Sequence, residues 1–240
     1  MRSRQLRLEQ YDTDKIANRY LERYDQVFEP WVNREITLLE LGVHKGGSLL
    51  LWRDYFPSAT IVGIDIHLPE SFQPGERILV FKGSQADVRF LSQVAKSVAP
   101  EGFDIIIDDA SHIGELTRVA FWHLFDHHLK PGGIYVIEDW GTGYWDDWPD
   151  GKSLDLESYL LPPSGIRLLW SKIARRLGIK FPFPGHSFGM VGLVKQLVDE
   201  QAAHDVTRQS LSGEVKRQPR FESLLITPSI VFVAKSDVNP

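Results

Sequence analysis

Two pairs of adjacent carboxylates, Asp108-Asp109 and Glu138-Asp139, each close a run of apolar, β-branched residues in this 240-residue chain. The first run reads "FDIIIDDASH" and carries an imidazole three residues beyond its second aspartate, at His112. The second reads "GGIYVIED". Short apolar runs of this composition predict buried strands, so both pairs should stand at strand ends. Carboxylates gathered there without partners repel and raise one another's pKa. A divalent cation resolves that conflict, and an all-oxygen donor set favours a hard ion such as Mg²⁺. Successive strand residues point to opposite faces, so one member of each pair is free to face a different ligand. One such pair alone would read as a helix cap; two on neighbouring strands favour a metal site. Imidazole titrates near working pH, and His112, beside a proposed ligand, is placed to act as a general base.

A second constellation lies upstream. "TLLELGVHKGGS" ends a strand at Glu40 and continues through Gly42, Gly46, Gly47 and Ser48 into a helix. Glycine lets backbone approach a ligand closely, and a helix start offers unpaired N–H groups. Asp65 ends the next strand about 20 residues on, the spacing of a carboxylate that accepts from ribose hydroxyls. The loop lacks the close first glycine pair of a dinucleotide site, and no phosphate-binding G-x-x-x-x-G-K-[ST] loop is present. A nucleoside cofactor without phosphates, S-adenosylmethionine, suits it better. Ser84 and Gln85 end a third strand, in position to meet an adenine edge. Tyr144 and Trp145, just after Asp139, offer aromatic faces to a carbohydrate ring or, equally, anchor a cover to the core.

The elements that must position these groups are legible as alternation. Strand runs at 37–43, 60–66, 78–83, 103–110 and 132–139 are separated by helical stretches, which predicts a mainly parallel sheet covered on both faces. In the helix following the first strand, Leu49, Trp52, Tyr55 and Phe56 share a face. In the helix after the fourth, Val119, Trp122, Leu124, Phe125 and Leu129 form a stripe that "KPGG" ends. "FESLLITPSIVFVAK" (221–235) predicts an antiparallel pair around Thr227-Pro228-Ser229 at a sheet edge. The reading is an α/β fold with a seven-stranded sheet in one domain. Residues 1–35 form a helical arm, 36–140 the cofactor-binding core, 141–220 a substrate lid and 221–236 the terminal strand pair. Helical patterns fall near 164–178 and 187–204, the former with Lys172, Arg175, Arg176 and Lys180 on a solvated face.

Composition sets the outer bounds. With 42% hydrophobic and 25% charged residues the chain is of globular type. Its net charge of −5 argues against a nucleic-acid binder. The absence of cysteine excludes disulfides and thiolate metal sites. The polar N-terminus has no signal-peptide core and no run has the length of a membrane span, so a cytoplasmic location is expected. A homo-oligomer is compatible with all of this.

Taken together, "TDK" followed by spaced aromatics (Thr13 to Phe28), "ELGVHKGGSLLLWRDYF", "GIDI", "GSQADVRFL", "IDDASH" and "YVIEDWGTGYW" resemble the metal-dependent sugar O-methyltransferases of macrolide biosynthesis, the mycinamicin and demethylmacrocin type. The likeness spans residues 11 to 148. It implies a Rossmann-like class I methyltransferase core and methyl transfer from S-adenosylmethionine to a hydroxyl of a glycosylated small molecule. It further implies Asp109, Glu138 and Asp139 as Mg²⁺ ligands, His112 as base, Asp65 at the ribose and Asp108 nearer the cofactor. Ala110 and Asn18 depart from the usual Gly and His of that pattern. Open alternatives are a catechol-type enzyme, although strand five there usually ends Asp-Asn, a cephalosporin-hydroxylase-like relative, and a non-catalytic S-adenosylmethionine-binding subunit. A base methyltransferase of nucleic acids would need an Asn/Asp-Pro-Pro-aromatic motif after strand four, which is missing.

Overall fold

The structure is a computed structural model that describes residues 1–152, 189–202 and 220–237. Its centre is a seven-stranded sheet of order β3-β2-β1-β4-β5-β7-β6. The strands are β1 (Thr37–Leu41), β2 (Thr60–Asp65), β3 (Ile78–Lys82), β4 (Phe103–Asp108), β5 (Leu129–Glu138), β6 (Phe221–Ile226) and β7 (Ile230–Lys235). The first five pair in parallel, while β7 runs antiparallel between β5 and β6. The fold class expected from the sequence is what the chain adopts, and the terminal strand pair turns at Thr227, as read.

Seven α-helices accompany the strands among the described residues: α1 (Asp14–Ala17), α2 (Leu21–Phe28), α3 (Gly47–Tyr55), α4 (Val88–Val98), α5 (Gly114–His127), α6 (Pro149–Lys152) and α7 (Gly189–Gln201). Alternate strand residues feed two separate cores. Leu39, Ile106, Tyr135 and Ile137 pack with Leu91 of α4, Phe121 and Phe125 of α5 and Leu193 of α7. Leu38, Ile105, Ile107 and Val136 face the other way, onto Tyr24 and Phe28 of α2 and Trp52 and Tyr55 of α3. Both faces of the central strands are therefore dry, which is why their sequences are continuously apolar instead of alternating.

Three details differ from the sequence reading. The N-terminal arm is a broken series of short helices packed as part of one layer of the core, with Tyr24 and Phe28 fully buried. Helix α5 ends at His127, and "LKPGG" belongs to β5, admitted by an irregular register between Phe103 and Ile105. The buried stripe of α5 is consequently Thr117, Ala120, Phe121, Leu124 and Phe125, with Val119 and Trp122 half-exposed. The basic helical pattern at 164–178, with Lys172, Arg175, Arg176 and Lys180, lies outside the described residues.

Candidate active site

Strand order reverses between β1 and β4, and ligands of open α/β sheets bind beyond the carboxyl strand ends at that point. A cavity of about 640 Å³ opens there, lined by Gly42, Asp65, Ser84, Gln85, Asp109 and Ser111 among others. Its floor depends on one backbone position. Gly42 has φ +96°, and a Cβ there would fall 2.1 Å from the Asp109 carbonyl oxygen. Only glycine lets β1 turn away so close to the end of β4. The neighbouring glycines answer to protein: a Cβ on Gly47 would strike the Asp12 carbonyl at 2.0 Å, and one on Gly46 the Phe72 ring at 2.2 Å.

Asp65 accepts the backbone N–H of Val43 (2.7 Å), His44 (3.1 Å) and His67 (2.9 Å). Burial alone would raise its pKa, but these donors together pull it below the usual value. It stays ionised and rigid, with acceptor capacity left for a hydroxyl. Ser84 and Gln85 line the same cavity. Gln85 ties its wall together, donating to Asp108 (3.2 Å) and accepting from the Ser111 N–H (3.1 Å). Asp108 itself is buried. Burial pushes its carboxyl up to about 7, against hydrogen bonds from Ala110, Tyr135 and Gln85.

Glu40 and Ser48, expected beside the cofactor, face the protein interior instead. Glu40 is fully buried and accepts from Ser48 Oγ (2.7 Å) and Trp52 Nε1 (3.1 Å). Next to it lies a residue to which the sequence reading assigned no role. Lys15 is 0% exposed, with its ammonium 3.4 Å from Glu40, 2.9 Å from Glu138 and in contact with Asp109. Burial opposes its charge, yet the three carboxylates outweigh that and hold its pKa above the ordinary value. The "TDK" motif thereby gains a physical reading. Thr13 caps α1 by accepting the Lys15 N–H, and the capped turn carries Lys15 inward. Carboxylates gathered at buried strand ends call for a cation, and the pairs Asp108-Asp109 and Glu138-Asp139 were the part of that signal the sequence carries.

The two strand-end pairs do converge. Asp109, His112 and Asp139 each place one ligand atom within 4.8 Å of the others, as do Glu40, Asp109 and Glu138. In the first group His112 Nε2 lies 3.7 Å from Asp109 Oδ1 and 3.8 Å from Asp139 Oδ2, with all three side chains partly exposed. One oxygen each from Asp109 and Asp139, within 4.8 Å of one another, suits a hard, oxygen-seeking ion such as Mg²⁺, and leaves His112 Nε2 beside the pair. The second group already surrounds the Lys15 ammonium. Glu138 is 1% exposed and accepts from Tyr24 as well as Lys15. Burial and then Asp109 push its carboxyl well up. Asp139 accepts from Tyr20, and burial is the main cause that raises it. Of the three anticipated ligands, Asp109 and Asp139 thus share the open group with His112, and Glu138 sits deeper.

His112 and Asp139 both adopt left-handed backbone, φ +50° and +52°. Non-glycine residues in this region are uncommon, and two of the five among the described residues stand here. The His112 carbonyl accepts from Thr142 Oγ1 (3.2 Å) and Trp148 Nε1 (3.0 Å). Tyr144 and Trp145 stand 40% and 51% exposed on the segment that follows β5. Among the described residues, no helix is long and apolar enough to cross a membrane.

No family model matches the chain. It is 43% identical over 129 residues to the mycinamicin VI 2''-O-methyltransferase of Micromonospora griseorubida, which is 51% of this chain and 31% of that protein. It is 38% identical over 169 residues to the demethylmacrocin O-methyltransferase of Streptomyces fradiae, 61% of this chain and 42% of that one. The chain therefore spans less than half the length of these curated relatives. In structure it is similar to the MycE methyltransferase of the mycinamycin biosynthetic pathway, solved with Mg, SAH and mycinamycin VI. The TM-score is 0.65 at 29% identity, over 90% of this chain and 48% of that one. The resemblance read from the motifs is borne out, and the sheet is that of class I methyltransferases.

Proposed function

We propose that the chain transfers the methyl group of S-adenosylmethionine to a hydroxyl, on a sugar, of a glycosylated small molecule, with Mg²⁺ at the strand ends. The observation that carries this is the meeting of Asp109, His112 and Asp139 beside a cavity whose wall holds Asp65, Ser84 and Gln85. Asp65 receives the ribose hydroxyls on a carboxylate already fixed by three backbone donors. Ser84 and Gln85 bound the adenine end. Asp109 and Asp139 hold the ion, with Glu138 behind them. When bound, Mg²⁺ supplies Lewis acidity that favours deprotonation of the acceptor hydroxyl. His112 takes that proton at Nε2, and its pinned carbonyl keeps the ring aimed at Asp109 and Asp139. Tyr144 and Trp145 present aromatic faces to the acceptor. Alignment of the acceptor oxygen with the methyl group supplies much of the rate, since no group on the chain has to form a covalent bond.

The relatives support the acceptor class: their names state methylation of mycinamicin VI and demethylmacrocin. The test is methyl transfer from labelled S-adenosylmethionine to a panel of deoxysugar glycosides and catechols, with Mg²⁺ or with excess chelator. Methylation of a glycoside that chelator abolishes is the expected result. His112→Ala should bind S-adenosylmethionine as before and lose roughly 100-fold or more of turnover. Preference for catechols, or full activity in chelator, overturns the reading. Cofactor binding without transfer to any acceptor would instead support a non-catalytic binding subunit.

A further inference from the structure

Lys15 has no part in the chemistry above, although its fully buried ammonium is set directly against the site. A lysine is almost never fully buried unless paired, and here its ammonium donates to Asp109 and Glu138 and lies 3.4 Å from Glu40. Asp109 is the shared member. Its Oδ2 contacts Lys15, while Oδ1 faces His112 at 3.7 Å in the open group. The arm that carries Lys15 also supplies Tyr24 to Glu138 and Tyr20 to Asp139. Every carboxylate from the ends of β4 and β5 that is expected to bind metal therefore has a partner between residues 15 and 24.

Charge decides what this arrangement does. Glu40, Asp109, Glu138 and Asp139 are linked through Asp109, and among the described residues Lys15 is the ammonium set against them, one positive charge for four carboxyl groups. A divalent ion and Lys15 are attracted to the same carboxylates and repel each other across Asp109. We propose that Lys15 is a positioning residue that shares with the divalent ion the neutralisation of this cluster. It holds Asp109 and Glu138 together before the ion arrives and weakens the ion's binding once it does. This inference rests on the reading of the site as a divalent-cation centre. Because coupling between two bound charges is reciprocal, the ion must relieve the loss of Lys15 and the loss of Lys15 must strengthen the ion.

The experiment is thermal unfolding and Mg²⁺ titration calorimetry of the full chain, wild type against Lys15→Met, without acceptor. In chelator the variant should unfold roughly 10 °C lower, the scale of a buried pair left open. Saturating Mg²⁺ should recover at least half of that fall and bind the variant about tenfold more tightly. Lys15→Arg, which keeps the charge, should retain the wild-type Mg²⁺ affinity. An equal fall with and without Mg²⁺ would make Lys15 merely structural, and weaker Mg²⁺ binding by the variant would reverse the claim; either overturns it. Should Lys15→Met not fold, Lys15→Met combined with Glu40→Gln removes one of the buried charges and should fold. Its failure to fold also overturns the inference. Wild type that binds no Mg²⁺ in calorimetry sinks the cation-centre reading itself, a different result from wild type that binds while the variant binds no better.

Discussion

Trp148 gives its indole N–H to the carbonyl of His112, 36 residues earlier, over 3.0 Å. That bond and the one from Thr142 hold His112 in a left-handed turn that few residues adopt. Trp148→Phe keeps an aromatic ring and removes the donor. One neutral hydrogen bond is worth about 1 kcal/mol, so kcat should fall roughly fivefold while S-adenosylmethionine affinity by calorimetry stays unchanged. Unaltered kcat would remove the indole from any positioning role. That His112 would lie near Asp109 was legible in "DDASH" because both stand on one short stretch. Its anchors were not, because they come from the far side of β5. Lys15 was hidden for the same reason: nothing local in "TDK" states that β1, β4 and β5 will close around it. Glu40 and Ser48 were expected at the cofactor because neither a strand end nor a helix start says which way a side chain will face.

Helices α5 and α7 start against each other, and Asp150 joins them. Its Oδ2 accepts the N–H of Gly114 and of Met190, both at 2.8 Å. The approach is so close that a Cβ on Gly114 would lie 1.9 Å from the Gly189 carbonyl carbon. A carboxylate at a helix N-terminus satisfies orphan donors and meets the positive end of the helix dipole. One oxygen here serves two helices, so Asp150→Ala should cost about 2–4 kcal/mol, twice an ordinary cap. Denaturant unfolding measures the loss, and hydrogen exchange should quicken at the first-turn amides of both helices. Exchange that quickens at neither helix would dismiss the cap. From sequence, the existence of α5 and α7 was legible in apolar spacing, as were the parallel strands in their continuous apolar runs. The start of β5 was not, because "KPGG" carries every sign of a break and is tolerated through an irregular pairing at Phe103. The Asp150 junction leaves no local pattern at all.

Across the whole molecule, the strand order sends the carboxyl ends of β1, β2, β4 and β5 to one side, and the site gathers there. Helix α5 begins beside that site and runs back along the sheet, so its last turn carries a different cluster to the opposite side. Ser92 Oγ lies 2.8 Å from His123 Nε2 and 2.9 Å from His128 Nε2. His127 lies beside them, its ring tilted against that of His123 at a centroid distance of 5.5 Å. Burial, and then His123 and His127, bring the His128 pKa down to about 4, and burial lowers His123 as well. Between that value and the ordinary 6.5 the unfolded chain binds a proton that the native chain refuses. The native state therefore has this contribution in full above pH 6.5 and loses it as the pH falls towards 4. His128→Gln keeps a neutral polar side chain at every pH and should flatten the curve. Carboxylates titrate in the same range in both proteins, so the informative quantity is the difference in Tm between wild type and variant. That difference should grow steadily in the variant's favour from pH 7 to pH 5. Parallel curves would show that acid sensitivity arises elsewhere. Because this cluster lies at the far side of the sheet from His112, the comparison separates acid loss of the fold from acid loss of chemistry. For the proposed methyl transfer, a pH profile measured on His128→Gln is free of this cluster's contribution to acid unfolding.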